Sequence, residues 1–163
     1  MAAASAHERR QGLALALLRI LMGGMFIAVW SENLRKDLYT PDGYRDFIQG
    51  LADKTDVGFY GDLIREVVVP NAALFAYGQL VIELVVMGVF LLVGFLTPIA
   101  ALVASGFSVN LLLANWGVPG EWQGTYVMMI AILLAVAVTQ SGRRLGVDAR
   151  LARKNPRPRL PVY

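Results

Sequence analysis

Apolar residues fall along this chain in four long blocks separated by polar segments. The first, 12–30, reads GLALALLRILMGGMFIAVW. The second and third, 72–96 and 98–115, form one stretch with a single charged residue, Glu83, and one break at Thr97-Pro98. The fourth is 124–140. About 20 apolar residues cross a bilayer core, so each block is read as a membrane helix. Proline fits the first turn of a helix, which lets Pro98 begin the third span directly.

The long polar segment is 31–71, with five basic and eight acidic residues. Unstructured loops of that length are uncommon, so short helices are expected in it. Thr40-Pro41 can cap and start one, with Tyr44, Phe47, Ile48 and Leu51 on one face. Gly58 is expected to break the chain. Leu63, Ile64, Val67 and Val68 then form a second apolar stripe, read as a surface helix that ends at Pro70-Asn71. The fold expected is all-α: a polytopic four-helix transmembrane bundle with short helices in a long extracytoplasmic loop. Residues 1–11 form an N-terminal segment, 12–140 the membrane domain, and 141–163 a basic tail whose Pro156, Pro158 and Pro161 point to an extended end.

Four spans place both termini on one side. The terminal segments carry nine basic residues, the long loop is net acidic, and the loop after span three holds only Glu121. The positive-inside rule then puts both termini in the cytoplasm and 31–71 outside, in a bacterial inner membrane. A cleaved signal peptide is the competing reading of the first block. Its apolar run is too long, and WSENLRK is no small-residue cleavage site.

Composition narrows the chemistry. Of 163 residues, 56% are hydrophobic and 17% charged, where a soluble domain carries about a quarter charged. The chain has no cysteine, which excludes thiol–disulfide chemistry and Cys-ligated iron–sulfur clusters. The single histidine, His7, precedes the first span, so no His-ligated haem or zinc is expected within the membrane. No metal site and no covalently bound cofactor are expected. A basic tail directly after a span favours anionic lipid over nucleic acid as its partner.

Arg19 and Glu83 are the only charged side chains inside the expected spans. Such residues are costly and face the bundle interior. Counting about 1.5 Å per residue places Arg19 roughly 11 Å, Glu83 roughly 20 Å and Asn110 roughly 18 Å from the cytoplasmic side. Gln79 shares the helix face of Glu83. One buried cluster of Arg19, Gln79, Glu83 and Asn110 is therefore expected, with Arg19 and Glu83 as the catalytic candidates. Two readings stay open. The cluster holds helices in register, or it binds the polar end of a ligand and relays protons. Gly23, Gly24, Gly78, Gly88 and Gly94 are read as places of close helix approach.

LLRILMGGMFIAVWSENLRK resembles the opening of DoxX-like membrane proteins. GQLVIELVVMGVFLLVGFLTPIAALVA is similar to the second signature of that family: a glutamate, glycines and a Gly-x-x-Thr turn, filled here by Glu83, Gly88, Gly94 and Thr97. Ser31 to Lys36 stands where many members carry Gly-x-x-Lys-Leu. The long loop resembles the DoxD branch, the small subunit of thiosulfate:quinone oxidoreductase. The resemblance implies a four-helix accessory membrane subunit of a quinone-linked oxidoreductase, tied to sulfur oxidation or to redox stress. A partner redox protein, an exchangeable quinone and a homo-oligomer are within that expectation. The alternative is a non-enzymatic anchor or scaffold in which the buried cluster is architectural. A solute carrier fits less well, because four short spans leave little room for alternating access.

Overall fold

The computed structural model describes residues 6–154. Its first helix, α1 (Ala6–Arg35), outruns the expected first span at both ends. The polar residues past Trp30 prolong it, because they are helix formers with local partners. Lys36 pairs with Glu32 at 2.6 Å, Arg35 Nε donates to the Ser31 carbonyl, and Ser31 Oγ donates to the Ala28 carbonyl.

Helix α2 (Pro41–Ala52) begins where Thr40-Pro41 was expected to start it, with Thr40 Oγ1 accepting from the Gly43 N–H at 3.1 Å. Its inner face is Tyr44, Ile48 and Ala52, while Phe47, expected inside, is exposed.

The larger difference comes next. Gly58 does separate two helices, as the first residue of the second. A single helix of 36 residues, α3 (Gly58–Val93), replaces the expected surface helix and second span. Pro70 does not end it, because the backbone around it changes winding. A π turn (Ile64–Val68) and a 3₁₀ turn (Val69–Asn71) precede the regular helix (Ala72–Val81). Proline removes one helical donor, and the Asn71 side chain supplies another by donating to the Val67 carbonyl at 2.8 Å. Local winding changes of this kind let a helix pass a proline. The polar connection between membrane helices thus shrinks from 31–71 to 36–57. At about 1.5 Å per residue α3 is longer than a ~30 Å bilayer core, and α2 packs on its first turns.

The turn into the next helix is set by Gly94, not by Pro98. Gly94 takes the left-handed conformation at φ 69° and closes α3 three residues earlier than expected. Helix α4 (Thr97–Ala114) follows, with Pro98 in its first turn. Helix α5 (Gly124–Val138) packs along α4 and also touches α1. Three helices are long and apolar enough to cross a membrane, and α5 is a shorter apolar helix of 15 residues. No strand occurs among the described residues.

Two apolar clusters hold these helices. One joins Met22 and Phe26 of α1, Met87 and Leu91 of α3, Ala100, Ala101 and Ala104 of α4, and Leu133, Val136 and Ala137 of α5. The alanines let backbones approach, as small residues do between membrane helices. Gly23 and Gly88 do the same for α1 and α3. A Cβ at Gly23 would lie 2.6 Å from the Leu92 nitrogen, and one at Gly88 2.8 Å from Ile27 Cγ1. Gly24 and Gly78 face open space, so the close-approach reading fails for them. The second cluster, with Tyr44, Ile48, Tyr60, Ile64 and Ala76, packs α2 on the start of α3. Leu21, Leu74 and Val138 are exposed on the outside of the bundle, as a lipid-facing surface requires.

Past α5 the chain turns back through a 3₁₀ turn (Ser141–Arg143) into α6 (Val147–Lys154), which bears the basic residues Arg150, Arg153 and Lys154. The prolines expected to extend the tail lie outside the described residues.

Candidate functional site

Glu83 is fully buried in a π-helical stretch of α3 (Ile82–Phe90). Three donors converge on its carboxylate. Tyr39 Oη donates to Oε2 at 2.7 Å, Gln79 Nε2 to Oε2 at 3.3 Å, and Asn33 Nδ2 to Oε1 at 3.5 Å. Gln79 comes from one helical turn earlier, as its spacing predicts. Asn33 and Tyr39 come from the end of α1 and the short connection after it. Tyr39 is itself buried, stacked on Trp30 with ring centroids 6.4 Å apart, and Trp30 Nε1 donates to the Leu80 carbonyl at 3.2 Å. Burial, and then the hydrogen bond to the Glu83 carboxylate, push the Tyr39 phenol well above its ordinary pKa.

The expected pairing of Glu83 with Arg19 does not form. Arg19 is also fully buried, but it lies at the other end of the bundle. Its Nη2 donates to the Leu145 carbonyl at 3.1 Å, and Asp148 is the acid whose charge it feels. Nε and Nη1 have no hydrogen-bond partner among the described residues. A Cβ on Gly94 would fall 1.4 Å from Nη1, so the guanidinium packs directly on the α3–α4 turn. Gly94 is eleven positions past Glu83, roughly 16 Å along a helix. Arg19 is fourteen positions before Asn33, roughly 21 Å. The depth estimate failed because it took the cytoplasmic boundary from where apolar residues begin. At the Arg19 end the bundle closes at the Gly94–Thr97 turn, with the tail folded against it.

Asp148 is the anchor of that end. Its two oxygens accept from the Leu96 N–H at 2.8 Å and the Thr97 N–H at 2.9 Å, and its own N–H donates to the Gly94 carbonyl at 2.9 Å. A carboxylate at a helix N-terminus satisfies orphan donors and complements the dipole. The cap of α4 thus comes from the tail, some fifty residues downstream.

Asn110 goes a third way, accepting from Tyr60 Oη near the start of α3. It shares a cavity with Gln79, although it does not reach the carboxylate. That cavity, about 340 Å³, lies between α3 and α4 and is also lined by Tyr44, Ile82 and Phe107. A second cavity of about 310 Å³ is enclosed by four helices. Met25, Phe26 and Val29 of α1, Phe107 and Leu111 of α4, and Thr125, Tyr126 and Met129 of α5 surround it, with Glu83 as its only charged residue. Both volumes fall in the ~300–1,000 Å³ range of ligand sites, and Phe107 lines both.

This arrangement can do specific chemistry. A carboxylate offers about four acceptor positions, and three protein donors reach Glu83, so one position remains for a proton donor in the 310 Å³ cavity. The hydroxyl of Thr125 can donate to a carbonyl there, whereas Tyr126 Oη donates to Glu121 at 3.1 Å and lends the cavity its ring. The described residues contain no group of His, Asp and Glu that could hold a metal.

Of the four residues singled out from the sequence, Gln79, Glu83 and Asn110 line adjoining cavities, and Arg19 stands apart. Sequence reasoning missed Asn33, Tyr39, Tyr60 and Asp148. A buried phenol directly before the Thr40 cap carries no periodic signal. The one signal for Asp148 is that it is the sole acid in a basic tail.

The family model described as TQO small subunit DoxD matches residues 15–159. No curated protein and no solved structure matches the chain.

Proposed function

This chain belongs to the DoxD family, and on that premise we propose that it is the membrane-embedded subunit of a quinone-linked oxidoreductase whose quinone headgroup sits in the 310 Å³ cavity beside Glu83. One observation carries the reading: Glu83, whose buried carboxylate is held by protein donors and not by a cation, lines a cavity with otherwise largely apolar walls and the Thr125 hydroxyl. Those residues fit a flat ring bearing carbonyl or hydroxyl groups. A quinone supplies two-electron, two-proton chemistry when bound. Glu83 accepts the proton of a ring hydroxyl. Tyr39, Gln79 and Asn33 hold the carboxylate in place, and Tyr39 separates it from the exposed connection before α2. Thr125 orients the opposite oxygen. Met25, Phe26, Phe107 and Met129 exclude water.

In the same reading four helices cross a bacterial inner membrane, with α5 as the fourth span. The basic tail lies in the cytoplasm and α2 outside, as the charge distribution favours. The chain has no cysteine, and the only described histidine, His7, is exposed near the start of α1, so electrons come from a partner redox protein.

Equilibrium binding of a short-chain quinol to the purified protein in nanodiscs, under reducing conditions, tests this. Wild type should bind saturably. Glu83→Gln keeps the shape and removes the acceptor pair, and should weaken quinol binding by roughly tenfold or more. Absence of saturable binding, or equal affinity in Glu83→Gln, would overturn the reading.

A further inference from the structure

The Arg19 end of the bundle gathers more positive charge than its own acids offset. Arg9, near the start of α1, and Arg143, Arg144 and Arg153, from the tail, line one cavity of about 290 Å³ together with Leu13 and Leu145. All four arginines are exposed. An adjoining cavity of about 480 Å³ shares Leu145, Ala149 and Arg153 with it and adds Arg150. Two acids stand at this end against them: Asp148, buried and spent on the N–H groups of Leu96 and Thr97, and Glu8, beside Arg9 in the first turn of α1.

The fold brings these charges together; chance positions of a loose tail do not. Arg19 holds the Leu145 carbonyl from inside, and Asp148 pins the tail to the α3–α4 turn. Residues more than 130 positions apart in sequence thereby form one wall. Like charges so placed repel, and an anion between them reverses the sign. The surroundings define what kind of anion. Leu13, Leu17 and Leu145 are 45%, 56% and 64% exposed at or beside the cavity, so the arginines border an apolar surface.

We propose that this cavity binds the headgroup phosphate of an anionic phospholipid, with its acyl chains lying along Leu13 and Leu17. The lipid joins the start of α1 to the tail and holds the tail helix under Arg19. The site is independent of the quinone reading. It also differs from general attraction of a basic tail to a membrane, because Arg10 and Lys154 are equally exposed yet line neither cavity.

Native mass spectrometry of the full chain, delipidated and titrated with phosphatidylglycerol, phosphatidylcholine or inorganic phosphate, tests it. Phosphatidylglycerol should be retained in preference to phosphatidylcholine. Arg144→Gln with Arg153→Gln should weaken retention by roughly 25-fold, about fivefold per arginine. Arg10→Gln with Lys154→Gln, the same charge change outside the cavity, should leave it within about twofold. Leu13→Asn reads the acyl part separately and should also weaken retention, which covers the case in which the double arginine variant does not fold. Equal losses in the two charge pairs would show diffuse attraction and overturn the site. So would full competition by inorganic phosphate, or no preference over phosphatidylcholine.

Discussion

Tyr39 donates its phenolic proton to Glu83 across 2.7 Å, and so ties the connection after α1 to the centre of α3. Neither partner is exposed, and a hydrogen bond to a charged group is worth about 1.5–3 kcal/mol. Tyr39→Phe should therefore destabilise the protein by about 1.5–3 kcal/mol in reversible unfolding from detergent. The double variant with Glu83→Leu should show positive coupling, because the second change removes the partner the first left unsatisfied.

The two buried charges should be energetically independent of each other. Arg19 sits with Leu145 and Asp148, and Glu83 with Tyr39, Gln79 and Asn33. In a double-mutant cycle Arg19→Met and Glu83→Gln should add within about 0.5 kcal/mol, and Arg19→Met with Asp148→Asn should not. Additivity in the second cycle would count against the tail anchor.

The Gly94 turn should tolerate no side chain. Its φ is positive, and a Cβ would overlap Arg19 Nη1. Gly94→Ala should cost about 2–4 kcal/mol, combining left-handed strain with overpacking. Gly24→Ala, in open space within α1, should be neutral or slightly stabilising by helix propensity. Thermal unfolding of the two variants side by side checks this.

What the sequence made legible was local or compositional. The three helices long and apolar enough to cross a membrane followed from apolar blocks, the start of α2 from Thr40-Pro41, and the Gln79–Glu83 bond from helical spacing. Burial of Arg19 and Glu83 followed from the cost of charge in lipid. Which residue each one meets was not legible, because that depends on the relative depth of helices. Relative depth is set by the Gly94 turn and by a tail that folds back under it. Passage of α3 through Pro70 was hidden for a similar reason: proline lowers helix propensity locally, while the π turn and Asn71 that compensate are choices of the folded chain. Asp148 was invisible as a cap because a cap usually lies beside its own helix, and this one arrives from 51 residues away.

Alkaline pH should loosen the cap formed by α2. Burial, with Tyr60 close by, pushes the Tyr44 phenol up to about 12. An unfolded tyrosine ionises near 10. The folded state binds this proton more tightly, so the stabilisation is complete below about pH 10 and is lost as pH rises toward about 12. Tyr44→Phe should flatten that loss, read as unfolding midpoint against pH.

The placement of the quinone headgroup beside Glu83 is tested most directly by photolabelling with an azido-quinone held in its reduced, quinol form, followed by peptide mapping. The account predicts label on Met25, Tyr126 or Met129, abolished by excess unlabelled quinol and strongly reduced in Glu83→Gln. Label confined to the arginine-lined end, or label that unlabelled quinol does not displace, would contradict it.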